Sequence, residues 1–254
     1  MLEKFLIHEI FTFFIIFCRI GAAITLLPGL GESYVSARIR LIIALAISFI
    51  LMPLLASQIP SIPESLLSLT LMITGEIVVG LFIGTVCKIL ISVTHVAGMI
   101  ISLQMGISSA VIFDPNQSSQ GSLIGNMFGL MTILLLFATD MHLVMLRGVT
   151  ESYSIFAVGK YPPLHDFAMT IAHLTADSFT MAVQISAPFI VTGTLLFLAA
   201  GIIGRLMPTL QVFGILAAPQ LLLGFSLLIS ISSAMMLYYM EFYREKIAFV
   251  FGYL

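Results

Sequence analysis

Apolar residues fall into six blocks of unequal length, separated by short polar stretches. The first covers about residues 5 to 28 and matches the ~20 residues that cross a bilayer core of ~30 Å as a helix. It nevertheless contains His8, Glu9 and Arg19. The second, 41 to 55, is short for a span and ends near Pro53. Two blocks are too long for one span: 66 to 103, which holds Glu76, Lys88 and His95, and 167 to 206, which holds Asp177, Pro188 and Arg205. The fourth, 122 to 146, carries Asp140 and His142 near its end, and the sixth, 212 to 240, contains Pro219. Blocks of this length predict an all-α chain of membrane-associated helices, kinked or hairpinned where they exceed one span.

Punctuation supports that reading. PGLGES at 28–33, QIPSIPES at 58–65 and VGKYPPLHD at 158–166 predict loops, and Pro63 with Glu64 marks a helix start. One polar stretch is different: QMGISSAVIFDPNQSSQG at 104–121 is too long for a tight turn and too polar to be buried in lipid. Pro115 holds Asp114 extended, while Gly106 and Gly121 offer hinges at its borders. Small residues at a spacing of four predict close helix contacts, at Gly80 and Gly84 and again at Gly121, Gly125 and Gly129.

Composition narrows the class. The 254 residues are 60% hydrophobic and 9% charged, with mean hydropathy +1.16, against about 25% charged residues in soluble domains. A water-soluble globule with this composition has too little polar surface to cover itself, so the apolar surface faces lipid, partner subunits or both. Net charge is −2, with no basic run, which argues against nucleic acid as a partner. Cys18 and Cys87 lie inside apolar runs and read as small buried residues. The opening MLEKFLIHEI mixes acid and base and continues apolar beyond a typical signal core, so no cleavable signal is expected. The positive-inside rule fails for simple alternating spans: Arg38 and Arg40 place one loop in the cytoplasm, yet 104–121, which belongs on the same side, has no Lys or Arg.

Candidate chemistry is sparse. The Walker, HExxH, CxxC and GxSxG patterns are all missing from the sequence, so no catalytic residue, metal ligand or cofactor is assigned. His95 and His173 lack metal-site spacing. Charges inside apolar blocks are costly, so Arg19, Glu76, Lys88, Asp140 and Arg205 are read as buried and paired, with Arg19 able to meet Glu76 in this chain or in another subunit. Glu76 and Lys88 are twelve residues apart, about 120° out of phase on a helix, and need separate partners. Asp140 and His142 fit either a helix end or a proton relay. A solute transporter using Glu76, Lys88, Asp140 and Asp177 is the alternative of another class, although the two halves show no self-similarity.

Five segments, in order along nearly the whole chain, carry a resemblance: FCRIGAAITLLPGLGESYVSARIRLIIALAIS at 17–48, GEIVVGLFIG at 75–84, QMG at 104–106 followed by Asp114-Pro115, FATDMHLVMLRGVTESY at 137–153, and GRLMPTLQVFGILAAPQLLLGFSLL at 204–228. The set resembles the FliR family of flagellar export-gate proteins, whose virulence counterparts serve type III secretion. The family commonly reads Asp-Gly-His-His where this chain has Asp140, Met141, His142 and Leu143, and commonly has Asn and Lys where this chain has Gln211 and Gln220.

The resemblance implies a non-enzymatic subunit of the flagellar protein-export gate, or alternatively of a virulence-type gate. It implies one copy beside five FliP-type and four FliQ-type subunits, an FlhB-type subunit, and a closed conduit for unfolded axial proteins in the inner membrane at the flagellar basal body, held partly above the bilayer plane. It implies a FliP-like portion over 1–178 that includes the loop 104–121, fused to a FliQ-like helical hairpin and tail over 179–254 that turns near Arg205 to Gln211. The loop is then the pore plug, with Gly106, Ile107, Ser108, Ser109, Ala110, Val111, Ile112, Phe113, Asp114, Pro115 and Asn116 as its residues. Val111, Ile112 and Phe113 would seal the pore, while the polar flanks stay hydrated.

Overall fold

The computed structural model describes residues 2–107, 122–207 and 212–251, with side chains described from His8 and, in the last stretch, from Leu216. It is built of helices, and no strand occurs among the described residues. Helix α1 is Leu2–Leu26, α2 is Ala37–Leu55 with a 3-10 turn at Ala56–Gln58, and α3 is Leu66–Gln104. Helix α4 is Leu123–Ala138, α5 Met141–Ile155, α6 Leu164–Leu206 and α7 Val212–Phe251. Five helices are long and apolar enough to cross a membrane, or six spans if α4 and α5 count as one broken crossing. The chain is an all-α polytopic membrane protein.

The long third and fifth blocks each run as one helix, of 39 and 43 residues. Hydroxyl side chains tolerate this apolar setting because they bond back to their own helix: Thr70, Thr175, Thr180 and Thr194 each donate to the carbonyl four residues earlier. The break falls in the fourth block. Asp140 adopts a left-handed conformation, φ 56 and ψ 16, which ends α4 and starts α5 in a new direction.

The chain forms two compact units. One comprises Met1–Leu90, Leu136–Thr175 and Lys246–Leu254. Its core is built around Ile16, Ile20, Ala23, Ile83, Val86 and Val149; α2 packs on α1, and its buried residues are Ala44, Ser48 and Leu55. Ser36 caps α2 by accepting a bond from the Ile39 amide. The other unit comprises Ile91–Leu135 and Ala176–Glu245, with Ala97, Ile101, Phe128, Ala182, Phe189, Tyr239 and Tyr243 buried in it. Burial is lopsided. In α2, α6 and α7 only 17% of the most apolar stretch is buried, leaving side chains such as Phe49, Leu195, Leu198, Leu222 and Ile229 exposed on the single chain. Apolar surface on that scale is suited to lipid or to neighbouring subunits.

Candidate functional site

Two constructions draw the polar and glycine positions of the apolar helices together. In the first unit Arg19 is fully buried, and its guanidinium is held on several sides. Nε donates to Glu76 Oε2 at 2.7 Å and Nη2 to Glu76 Oε1 at 2.9 Å, a bidentate pair between α1 and α3. Nη2 also donates to the Phe156 carbonyl at 2.8 Å, and Nη1 to Ser152 Oγ at 3.2 Å, so α5 closes the site. The Ser152 hydroxyl in turn donates to the Val149 carbonyl at 2.6 Å. The Tyr153 ring lies 4.0 Å from the guanidinium carbon, a cation–π contact, and its hydroxyl bonds the Ile16 carbonyl. These four hydrogen bonds use four of the five donors of Arg19, which is what lets a full charge sit among apolar helices. Aromatic rings pack beside it: Phe82 and Phe167 stack at 3.9 Å, and Phe156 stands edge-on to Phe167 at 5.1 Å.

The same helix face carries the glycines. Glu76, Gly80 and Gly84 recur at a spacing of four on α3 and meet α1 in register. A Cβ at Gly80 would collide with the Arg19 carbonyl oxygen, and one at Gly84 would sit 2.7 Å from Leu26 Cβ and 2.9 Å from the Ala23 carbonyl. The absence of side chains on α3 lets α1 approach closely enough for Arg19 to reach Glu76.

In the second unit the ends of the polar loop are tied down. Helix α3 ends at Gln104, and Gly106 follows with φ +75. Gln220 of α7 donates from Nε2 to the Gln104 carbonyl at 2.6 Å, satisfying a helix-terminal acceptor, and a Cβ on Gly106 would lie 3.3 Å from its amide. The Gln104 amide fits against Gly193 of α6, where a side chain would overlap Oε1, and Met105 fits against Gly224 of α7. At the other end Ser122 caps α4 by accepting from the Gly125 amide at 3.0 Å, and its hydroxyl reaches Ser102 at 2.8 Å and the Gly98 carbonyl at 3.2 Å. Gly98 and Gly125 are in backbone contact, a Cβ on Gly98 lying 2.5 Å from the Gly125 Cα. One turn further along the seam, Thr132 donates to Thr94 at 2.9 Å.

Comparison with known proteins decides the lineage. Residues 10–245 match the family described as bacterial export proteins, family 1. The chain belongs to that family. Among its relatives, the flagellar biosynthetic protein FliR of Caulobacter vibrioides is 32% identical over 237 residues, covering 93% of this chain and 94% of the relative. The FliR proteins of Bacillus subtilis and Escherichia coli are 31% and 26% identical, over 85% and 83% of this chain.

In this bacterial export protein the singled-out residues fall as follows. Arg19 and Glu76 are buried and bonded to each other, whereas Lys88, Asp140 and Arg205 have exposed side chains on the single chain. Gly80, Gly84 and Gly125 lie at helix contacts, and a Cβ on Gly129 would meet nothing within 4 Å. Gly106 and Ile107 are described, while Ser108 to Asn116 and Gly121 lie outside the described residues, as does the turn near Gln211. Sequence reasoning missed Ser152 and Tyr153 as partners of Arg19, and Gln104, Gly193, Gln220 and Gly224 as the anchor of the loop. Ser152, Tyr153, Gln104, Gln220 and Gly224 lie in the segments TESY, QMG and APQLLLG that carry the family resemblance, whereas Gly193 lies outside them with no sequence signal.

Proposed function

We propose that this chain is an integral subunit of the flagellar protein-export gate, forming with FliP-type and FliQ-type subunits a closed conduit for unfolded axial proteins. The observation that carries the reading is the 32% identity that extends over 93% of the chain and 94% of a relative named flagellar biosynthetic protein FliR. As a membrane component of the export apparatus, the chain assembles with other export components. The exposed apolar faces of α2, α6 and α7 suit contact with such neighbours, and the fully buried Arg19 site suits a structural role. In the fuller reading one copy sits with five FliP-type and four FliQ-type subunits and an FlhB-type subunit, in the inner membrane at the basal body and partly above the bilayer plane. Residues 1–178 would then provide the FliP-like portion and 179–254 the FliQ-like hairpin and tail.

Within that gate, residues 104–121 are the plug. Anchorage of both flanks supports this role: Gln104 and Gly106 are held by α6 and α7, and Ser122 is held by α3. Two experiments test the reading. The tagged chain co-expressed with FliP-type and FliQ-type partners is expected to co-purify with them as one complex, and failure to do so rejects the assembly. Deleting 107–119 is expected to make membranes leak ions while export continues in part; unchanged conductance rejects the plug.

A further inference from the structure

A groove of about 590 Å³ runs between α1, α2 and α3 in the first unit, distinct from the Arg19 cluster and from the loop anchor. Phe14, Phe17 and Gly21 of α1, Leu41 and Ala44 of α2 and Ile77 of α3 form its walls, and Arg40 is its only charged lining residue. We propose that this groove binds an anionic phospholipid, with an acyl chain between the helices and the phosphate on Arg40.

The position of Arg40 carries the headgroup assignment. It sits in the first turn of α2, where the apolar run Ala37–Gln58 begins, and a basic residue at the end of an apolar helix is placed to meet a lipid headgroup. Its guanidinium is only partly used within the chain: Nη2 donates to the Val35 carbonyl at 3.1 Å, whereas Nε is buried and has no partner. Arg40 is itself only half-buried, so with one hydrogen bond made within the chain its guanidinium keeps donor capacity for a phosphate oxygen of opposite charge. The rest of the groove offers almost nothing to water, since Thr25 already bonds the Ala22 carbonyl. A ligand that is apolar for most of its length and anionic at one end fits both halves of this lining. A zwitterionic lipid brings a second, cationic group towards Arg40, so the site favours a net negative headgroup.

The test uses the purified full chain in nanodiscs of phosphatidylcholine, doped with phosphatidylglycerol that carries a photoreactive group on its acyl chain, with labelled peptides mapped by mass spectrometry. Labelling is expected on α1 and on Leu41 to Ala44, roughly tenfold weaker in Arg40→Gln and retained in Arg40→Lys. Gly21→Leu is expected to block labelling by filling the groove, since a Cβ there meets only the Phe17 ring, at 3.6 Å and beyond. Equal labelling from a phosphatidylcholine probe, labelling confined to other helices, or an Arg40→Gln variant with an unaltered melting curve and unreduced labelling would each overturn the site. Competition by millimolar inorganic phosphate would reassign it as a plain anion site. Protection of the groove by a partner subunit in the assembled complex would reassign it as an interface.

Discussion

Gly80 lies against the main-chain carbonyl of Arg19, one helical turn from Glu76, which holds the same arginine by its side chain. Backbone and side chain of a single residue are thus fixed by two residues four apart on α3, so the electrostatic and steric contacts depend on each other. Replacing Glu76 with Ala leaves a buried guanidinium without its carboxylate and should destabilise the chain by about 3–5 kcal/mol. Substituting both partners with Met removes both charges and should recover most of that loss. Thermal unfolding of the purified variants measures the difference, and equal melting of the single and double variants would contradict the pairing.

Side-chain volume at the α1–α3 contact should be tolerated unevenly. Gly80→Val and Gly84→Val force α1 away from α3 and should cost about 1–3 kcal/mol or more. Gly129→Ala meets open space and should be neutral or mildly stabilising, by less than about 1 kcal/mol. Melting temperatures of the three variants, taken in the same detergent, give the comparison.

Releasing the root of the 104–121 loop should loosen the proposed plug without deleting it. Gln220→Leu leaves the Gln104 carbonyl unpaired at the end of α3, an expected penalty of about 1–3 kcal/mol. Gln220→Lys keeps a donor there and adds a positive charge favourable to a helix C-terminus. Raised ion conductance in the Leu variant and a tight membrane in the Lys variant is the expected pattern.

The bend at Asp140 depends on backbone conformation. Asp140→Asn or Asp140→Gly should be accepted at φ 56, whereas Asp140→Val should cost about 1–2 kcal/mol through its branched Cβ. If all three melt alike, the left-handed position is not what turns the chain.

Hydropathy made the spanning helices legible because each apolar block is much longer than a helical turn. Lengths were clearer than breaks. The break at Thr139-Asp140-Met141 was only half legible: Asp140 fits a helix end, which it is, but equally a charge in a proton relay, and no neighbouring Gly or Pro marks the left-handed turn. Periodicity separated the faces of Glu76 and Lys88, and the structure buries the first and exposes the second. Partners were much less legible. Ser152 lies 133 residues from Arg19, and Gln220 lies 116 from Gln104, distances at which no local spacing rule operates. The glycine rows named residues with the right chemistry but not their opposites: Gly125 meets Gly98 on another helix, and a Cβ on Gly129 would meet no atom within 4 Å among the described residues.

The wiring of Arg19 also sets an order of events during synthesis. Its carboxylate partner emerges 57 residues after it, but the Phe156 carbonyl that completes the site emerges only 137 residues after it. At about 5–20 residues per second the ribosome takes roughly 7–27 s to make that stretch. For that interval the first helix carries a charge that is first unpaired and, once Glu76 emerges, only half accommodated, so its final seat in the bilayer is taken when α5 arrives, and the amino-terminal helix is among the last to settle.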